Sequence, residues 1–132
     1  PFGEEEWKKW HELRYKIQNT KYKILIVGDD LTATNPERIK QAYKKKSCNA
    51  VIIKPNQIGT VSEAIAAATL AKSYGWKTIV SHRAGATKED FIADFAAGIG
   101  ADFIKAGAPS PKERMAKYER LLKIEKEVHS AT

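Results

Sequence analysis

Four short apolar runs alternate along the chain with amphipathic stretches, and each run closes on a residue able to do acid, base or ligand chemistry. They are Ile24-Leu25-Ile26-Val27-Gly28-Asp29-Asp30, Val51-Ile52-Ile53-Lys54, Thr78-Ile79-Val80-Ser81-His82-Arg83 and Asp102-Phe103-Ile104-Lys105. Continuous apolar runs of this length suit strands covered on both faces, and the stretches between them suit crossover helices. The pattern therefore predicts a parallel sheet. In open α/β sheets and in barrels, functional groups gather at the carboxyl ends of the strands.

The helices between the runs carry their own punctuation. From Pro1 to about Gln18, Phe2, Trp7, Trp10, Leu13 and Ile17 recur at three- and four-residue steps, with Glu4, Glu5 and Glu6 expected in the first turn, where the helix dipole favours anions. A strand is expected over Tyr22–Val27. Asn35 as N-cap with Pro36 at the first helical position starts the next helix, which runs to Lys44-Lys45-Lys46. Thr60 and Glu63 form a capping-box pattern ahead of Ala64–Lys72, and Gly75 is placed to end that helix. Thr87 and Asp90 mark a third start, with Gly98 and Gly100 as breakers. Ser110, Pro111 and Glu113 mark a fourth, leading into an inward stripe of Met115, Tyr118, Leu121, Leu122, Ile124 and Val128. The fold class is thus α/β, an α(βα)4 arrangement that is either a small open sheet or half of an eight-stranded barrel. The leading helix looks like one that follows a strand lying before Pro1.

Length and charge narrow the possibilities. A chain of 132 residues with 42% hydrophobic content is of single-domain size and can bury a core. No run approaches the roughly 18 apolar residues of a membrane span. The single cysteine, Cys48, cannot form an internal disulfide and reads as a packing residue in a reducing, cytoplasmic setting. The net charge of +7 would suit a nucleic acid, an acidic membrane surface or a phosphorylated metabolite. Much of that excess lies along helices as a solvated face, and the aromatics are not interleaved with glycine and basic residues. A nucleic-acid partner is therefore not expected.

At the strand ends, Lys54 and Lys105 are lysines carried to the rim of an apolar element, the setting for a general base. Asp29 could be an oxygen ligand for a hard cation, and Arg83 could hold a phosphate or carboxylate bidentately. His82 could carry a proton or donate a hydrogen bond. No Ser-His-Asp order, zinc-type Cys/His spacing or phosphate-cradling glycine loop occurs.

Taken together, Val27-Gly28-Asp29-Asp30-Leu31-Thr32 with Thr34-Asn35-Pro36, Lys54 with Asn56-Gln57-Ile58-Gly59, Ser81-His82-Arg83, Lys105 with Gly107-Ala108-Pro109, and Glu113-Arg114 ahead of Leu121-Leu122-Lys123-Ile124-Glu125 resemble enolase, in order and spacing. The resemblance covers the whole chain but only the last portion of an enolase. It implies one segment, 1–132, forming the carboxyl-terminal half of a TIM-type barrel, with the amino-terminal domain and first barrel half absent. It also implies a cytoplasmic, Mg²⁺-dependent lyase of glycolysis, interconverting 2-phosphoglycerate and phosphoenolpyruvate plus water. Carried over by position, Asp29 matches a metal ligand, Lys54 the base that removes the carbon-bound proton, and His82 a catalytic histidine near the substrate. Arg83 matches a phosphate-binding arginine, and Lys105 a lysine that holds the substrate carboxylate. Ala84-Gly85-Ala86 stands where the pattern has Ser-Gly-Glu, and Ala106 where threonine is usual. A non-catalytic half-barrel scaffold or binding module is the alternative those departures leave open. The fragment alone is expected to be inactive, and to self-associate or to pair with a complementing barrel half.

Overall fold

The computed structural model describes residues 2–82, 90–110 and 112–131, the side chains of 112–114 excepted. Its elements are α1 (Trp7–Gln18), β1 (Val27–Gly28), α2 (Pro36–Lys44), β2 (Ala50–Ile53), α3 (Val61–Ser73), β3 (Lys77–Ser81), α4 (Phe91–Gly98), β4 (Phe103–Lys105) and α5 (Lys112–Ser130). This is the α(βα)4 order that the apolar runs predict. The chain forms two compact units, Pro1–Thr78 and Ile79–Thr132.

In the first unit β1 and β2 pair in parallel, with Val27 opposite Ala50 and Gly28 opposite Val51. Val51 and Ile53 are fully buried, as are Ile39 and Ala42 of α2 and Ala64, Ala67 and Ala71 of α3. The alanines let α3 lie close to β2. The branched side chains supply most of the driving force, about 1.5–3 kcal/mol for each one fully buried. Tyr43 of α2 stacks on Tyr74 at the end of α3, centroids 3.9 Å apart, and Trp76 lies 6.1 and 6.0 Å from the two rings.

The helix starts follow the sequence. Asn35 accepts from the amides of Glu37 and Arg38, and Thr60 with Glu63 closes the reciprocal capping box. Three helices stop in the same way. Ser47 N donates to Ala42 O and Lys46 N to Tyr43 O, and the pattern repeats with Trp76 and Gly75 after α3 and with Ala101 and Gly100 after α4. This closure needs a left-handed residue, which Gly75 (φ 70°) and Gly100 (φ 60°) adopt freely. Lys46 adopts it at φ 51° against the Cβ penalty. Lys46→Gly should therefore stabilise the first unit by about 1 kcal/mol, read as a higher denaturant midpoint.

Two boundaries differ from expectation. The first helix begins at Trp7, so Glu4, Glu5 and Glu6 precede its first turn. The cause is the tryptophans, whose indoles draw the leading segment back across the helix. Trp10 Nε1 donates to Gly3 O at 3.0 Å, Trp7 Nε1 donates to Glu5 at 3.2 Å, and Phe2 packs edge-on against Trp10. The first strand covers Val27–Gly28 instead of Tyr22–Val27. Upstream of it the Asn49 side chain stands in for a ladder, accepting from Ile26 N at 2.7 Å and donating to Ile24 O at 3.3 Å. Tyr22, Ile24 and Leu25 are left exposed.

In the second unit β3 and β4 are parallel, with Val80 opposite Ile104 and Ser81 opposite Lys105. Arg120 of α5 grips Asp94 of α4 through Nε at 3.0 and 2.9 Å and Nη2 at 2.5 Å, and reaches Glu127 at 3.1 Å. That guanidinium holds the Asp94 carboxyl below its ordinary value. A depressed carboxyl stabilises above its unfolded value, near pH 4, and loses that contribution as pH falls through its folded value. Wild type should thus exceed Asp94→Asn in stability at neutral pH, and the gap should close on acidification. Along α5, Leu122 and Val128 point outward, contrary to the expected stripe, while Lys117 is buried. Three- and four-residue steps from Tyr118 lead equally to Leu121 and Leu122, and only packing separates them. Asp90 sits at the α4 N-cap with no side-chain cap bond. Thr87, Pro111 and the Glu113 side chain lie outside the described residues. No helix among the described residues is long and apolar enough to cross a membrane.

Candidate active site

Beyond β1 the chain must turn at once, and Gly28 makes that possible. A Cβ there would come within 2.8 Å of Thr32 Cγ2 and 3.3 Å of Cys48 Sγ. Cys48 is fully buried and its thiol is pushed up to about 12 by burial, so it is packing, as the sequence suggests. Thr32 N and Ala33 N both donate to Asp29 O, at 3.0 and 2.8 Å, winding residues 29–34 into a tight loop. Ala33 (φ 45°) and Thr34 (φ 54°) are consecutive left-handed residues. For a β-branched threonine this is a true outlier, costing on the order of 1–2 kcal/mol. Arg38 braces the loop from α2, donating from Nε to Leu31 O at 2.8 Å and from its two Nη to Glu5 and to Glu4 O, with its guanidinium 5.3 Å over Trp7.

The loop sets Asp29 against Lys54, the residue that follows β2. Lys54 Nζ lies 2.6 Å from Asp29 Oδ1 in an ion pair, with the lysine side chain 17% exposed and the aspartate 40%. Asp29 Oδ1 itself is buried and, although the ammonium is close, takes no well-directed hydrogen bond from the described residues. A cavity of about 520 Å³ adjoins Asp29, its walls including Asp30, Leu31, Phe2, Glu4 and Trp10. Both charged groups lie at the carboxyl end of a parallel pair, as expected of strand-end chemistry.

The second unit does the same with β3 and β4. His82 follows β3 and Lys105 ends β4. His82 N donates to Lys105 O at 3.3 Å, and His82 Nδ1 is 2.7 Å from that oxygen. A carbonyl only accepts, so Nδ1 carries the hydrogen, and in the neutral ring Nε2 keeps its lone pair. The Lys105 side chain is exposed. Arg83, with Ala84 and Ala86, lies outside the described residues.

All 132 residues match the family described as enolase, C-terminal TIM barrel domain. The chain belongs to the enolase family. Enolase B of Dictyostelium discoideum is 52% identical over 128 residues, and an enolase of Mastigamoeba balamuthi is 49% identical over 128. Each match covers 97% of this chain and 28% of the relative, so the chain spans about a quarter of the enolases it matches. The α(βα)4 order read from the apolar runs, and the enolase barrel segment that the resemblance implies, agree with that membership.

Reading the enolase segment from sequence missed three residues that shape the Asp29–Lys54 pair. Thr34 was visible only as the neighbour of an N-cap, Gln57 only as part of a motif, and Arg38 not at all. The usable signal was a hydroxyl residue placed between a strand-end carboxylate and the next helix cap.

Proposed function

We propose that this chain supplies the proton-abstracting part of an enolase site, within a complete enzyme that interconverts 2-phosphoglycerate and phosphoenolpyruvate plus water. The observation that carries the reading is the Lys54–Asp29 pair, 2.6 Å apart at the carboxyl end of a parallel strand pair, in a chain of the enolase family. Released from Asp29 and as the neutral amine, Lys54 takes the proton next to the substrate carboxylate. Lys105 steadies the carboxylate, whose negative charge grows as that proton leaves. Arg83 holds the phosphate, and His82 offers Nε2 toward the substrate.

The donor set suits a hard divalent cation, with Mg²⁺ the choice of the resemblance. Asp29 Oδ1 is a buried carboxylate oxygen that takes no hydrogen bond from the described residues; once the Lys54 ammonium beside it gives it up, it is the kind of ligand such cations take. Asp29 would be one ligand of a larger set, since no group of three or more His, Cys, Asp or Glu side chains able to hold a metal occurs among the described residues. When bound, the cation supplies positive charge against the substrate carboxylate. The segment 1–132 acts here as one barrel portion, in a cytoplasmic enzyme whose remaining portion completes the site.

The test is phosphoenolpyruvate formation from 2-phosphoglycerate by the complete enzyme, with and without a chelator. Turnover abolished by the chelator and restored by Mg²⁺ supports the reading, and no turnover under any metal condition defeats it. A second reading, an idle site in a non-catalytic scaffold, draws on Ala106, which is buried where a hydroxyl is usual. Under that reading the complete protein binds no phosphate-bearing inhibitor.

A further inference from the structure

We propose that Thr34 is a positioning residue for Lys54, its hydroxyl splinting the peptide from which the lysine side chain springs. The inference rests on Lys54 acting as the base. Parallel pairing of β1 with β2 is recorded at Val27 opposite Ala50 and Gly28 opposite Val51, after which β1 turns away into the loop. The Lys54 amide lies beyond the end of β2 and must find an acceptor elsewhere. Thr34 Oγ1 is that acceptor, at 3.0 Å, and the same hydroxyl donates to Gln57 Oε1 at 2.8 Å. Gln57 N in turn donates to Lys54 O at 2.9 Å, so the turn after β2 is held at both ends.

Thr34 has no exposed surface, and its left-handed backbone is the unusual conformation that carries the side chain back to this point. Strain of this kind persists only where surrounding contacts over-determine it, and it concentrates at working sites. The over-determining contacts are present. Asp29 O takes two loop amides, Arg38 holds Leu31 O, and Asn35 N donates to Thr32 O. One hydroxyl therefore ties the loop bearing Asp29 to the turn bearing Lys54, and the 2.6 Å approach of the two charged groups depends on that tie. A shift of the lysine by an ångström is enough to lower turnover without changing how substrate is held.

Thr34→Val keeps the shape and removes the hydroxyl, while Thr34→Ser keeps the hydroxyl. In the complete enzyme Thr34→Val should lower kcat roughly 10- to 100-fold with KM within about threefold, and Thr34→Ser should stay within about threefold of wild type in both. By hydrogen exchange, the Lys54 amide should open at least about tenfold faster in Thr34→Val, with the Val51 amide unchanged. Equal losses in the two variants, a uniform rise in exchange, or wild-type exchange at Lys54 in Thr34→Val would overturn the proposal. Should Thr34→Val not fold, Gln57→Leu removes the acceptor of the same hydroxyl at a part-exposed position. Faster Lys54 exchange in that variant supports the proposal, and wild-type exchange defeats it. Lys54→Ala separates the two levels. If it abolishes turnover while Thr34→Val is silent, only the positioning role fails; if it leaves turnover intact, the base assignment fails and takes the positioning role with it.

Discussion

Lys54→Ala in the complete enzyme lowers kcat by roughly 10²–10⁴-fold and leaves KM nearly unchanged. The expectation follows from what the side chain touches. Its ammonium is the partner found for a buried carboxylate oxygen of Asp29, and its amine is the group at the strand rim able to accept a proton from carbon. Truncation also leaves that oxygen without its counter-charge. An unpaired buried acceptor costs about 1–3 kcal/mol, and the 40% exposure of Asp29 puts the loss at the lower end. Lys54→Arg tells the two effects apart. Guanidinium restores a cation beside Asp29 but does not give up its proton at working pH, so stability should recover while turnover does not. Arg83→Ala should do the opposite of Lys54→Ala, raising KM with a smaller change in kcat. If both substitutions alter both parameters equally, the division of labour is wrong.

The isolated 132-residue chain should form no measurable phosphoenolpyruvate and should self-associate. It spans 28% of the length of the enolases it matches, and among the described residues no group of three or more His, Cys, Asp or Glu joins Asp29 to serve a cation wanting near-octahedral oxygen coordination. Charge growing on the substrate would then lack its main counterweight, and Lys54 would face a carbon acid too weak to ionise. Association follows from apolar side chains left exposed ahead of β1 and on β4. Tyr22 is 63% exposed beside exposed Ile24 and Leu25 in the first unit, and Phe103 is exposed on β4 in the second. Exposed apolar side chains of this kind recruit another chain. Light scattering on the purified chain should give a mass above that of one copy, and Leu25→Lys should reduce it. A stable monomer, or turnover by the chain alone, would contradict the expectation.

How much of this was legible beforehand depends on the range of the interaction involved. Local features read cleanly. The Asn35 cap, the Thr60–Glu63 box and the left-handed glycines at 75 and 100 each act within a few residues, and all lie where the sequence placed them. Strand-end placement of Asp29, Lys54, His82 and Lys105 was legible too, because a residue after an apolar run has little choice of position. What escaped depended on contacts distant in sequence. Asn49 replaces a ladder for residues 23 and 25 positions away, so β1 came out shorter than its apolar run. Lys46 takes a glycine conformation with no glycine to announce it, and Thr34 earns its role through Lys54 and Gln57, 20 and 23 residues on.

The ring cluster joining α2 to α3 also gives the first unit an optical signature. Tyr43 and Tyr74 are stacked nearly parallel, 11° between ring planes with centroids 3.9 Å apart, close enough for their transitions to couple, and Trp76 stands 6.1 and 6.0 Å from the two rings. Light absorbed by either phenol should therefore emerge as indole fluorescence, and Trp76, largely shielded from water, should emit towards the blue. Unstacking the phenols should restore tyrosine emission. The separation of α2 from α3 could then be followed by eye of a fluorimeter, with no label attached to the chain.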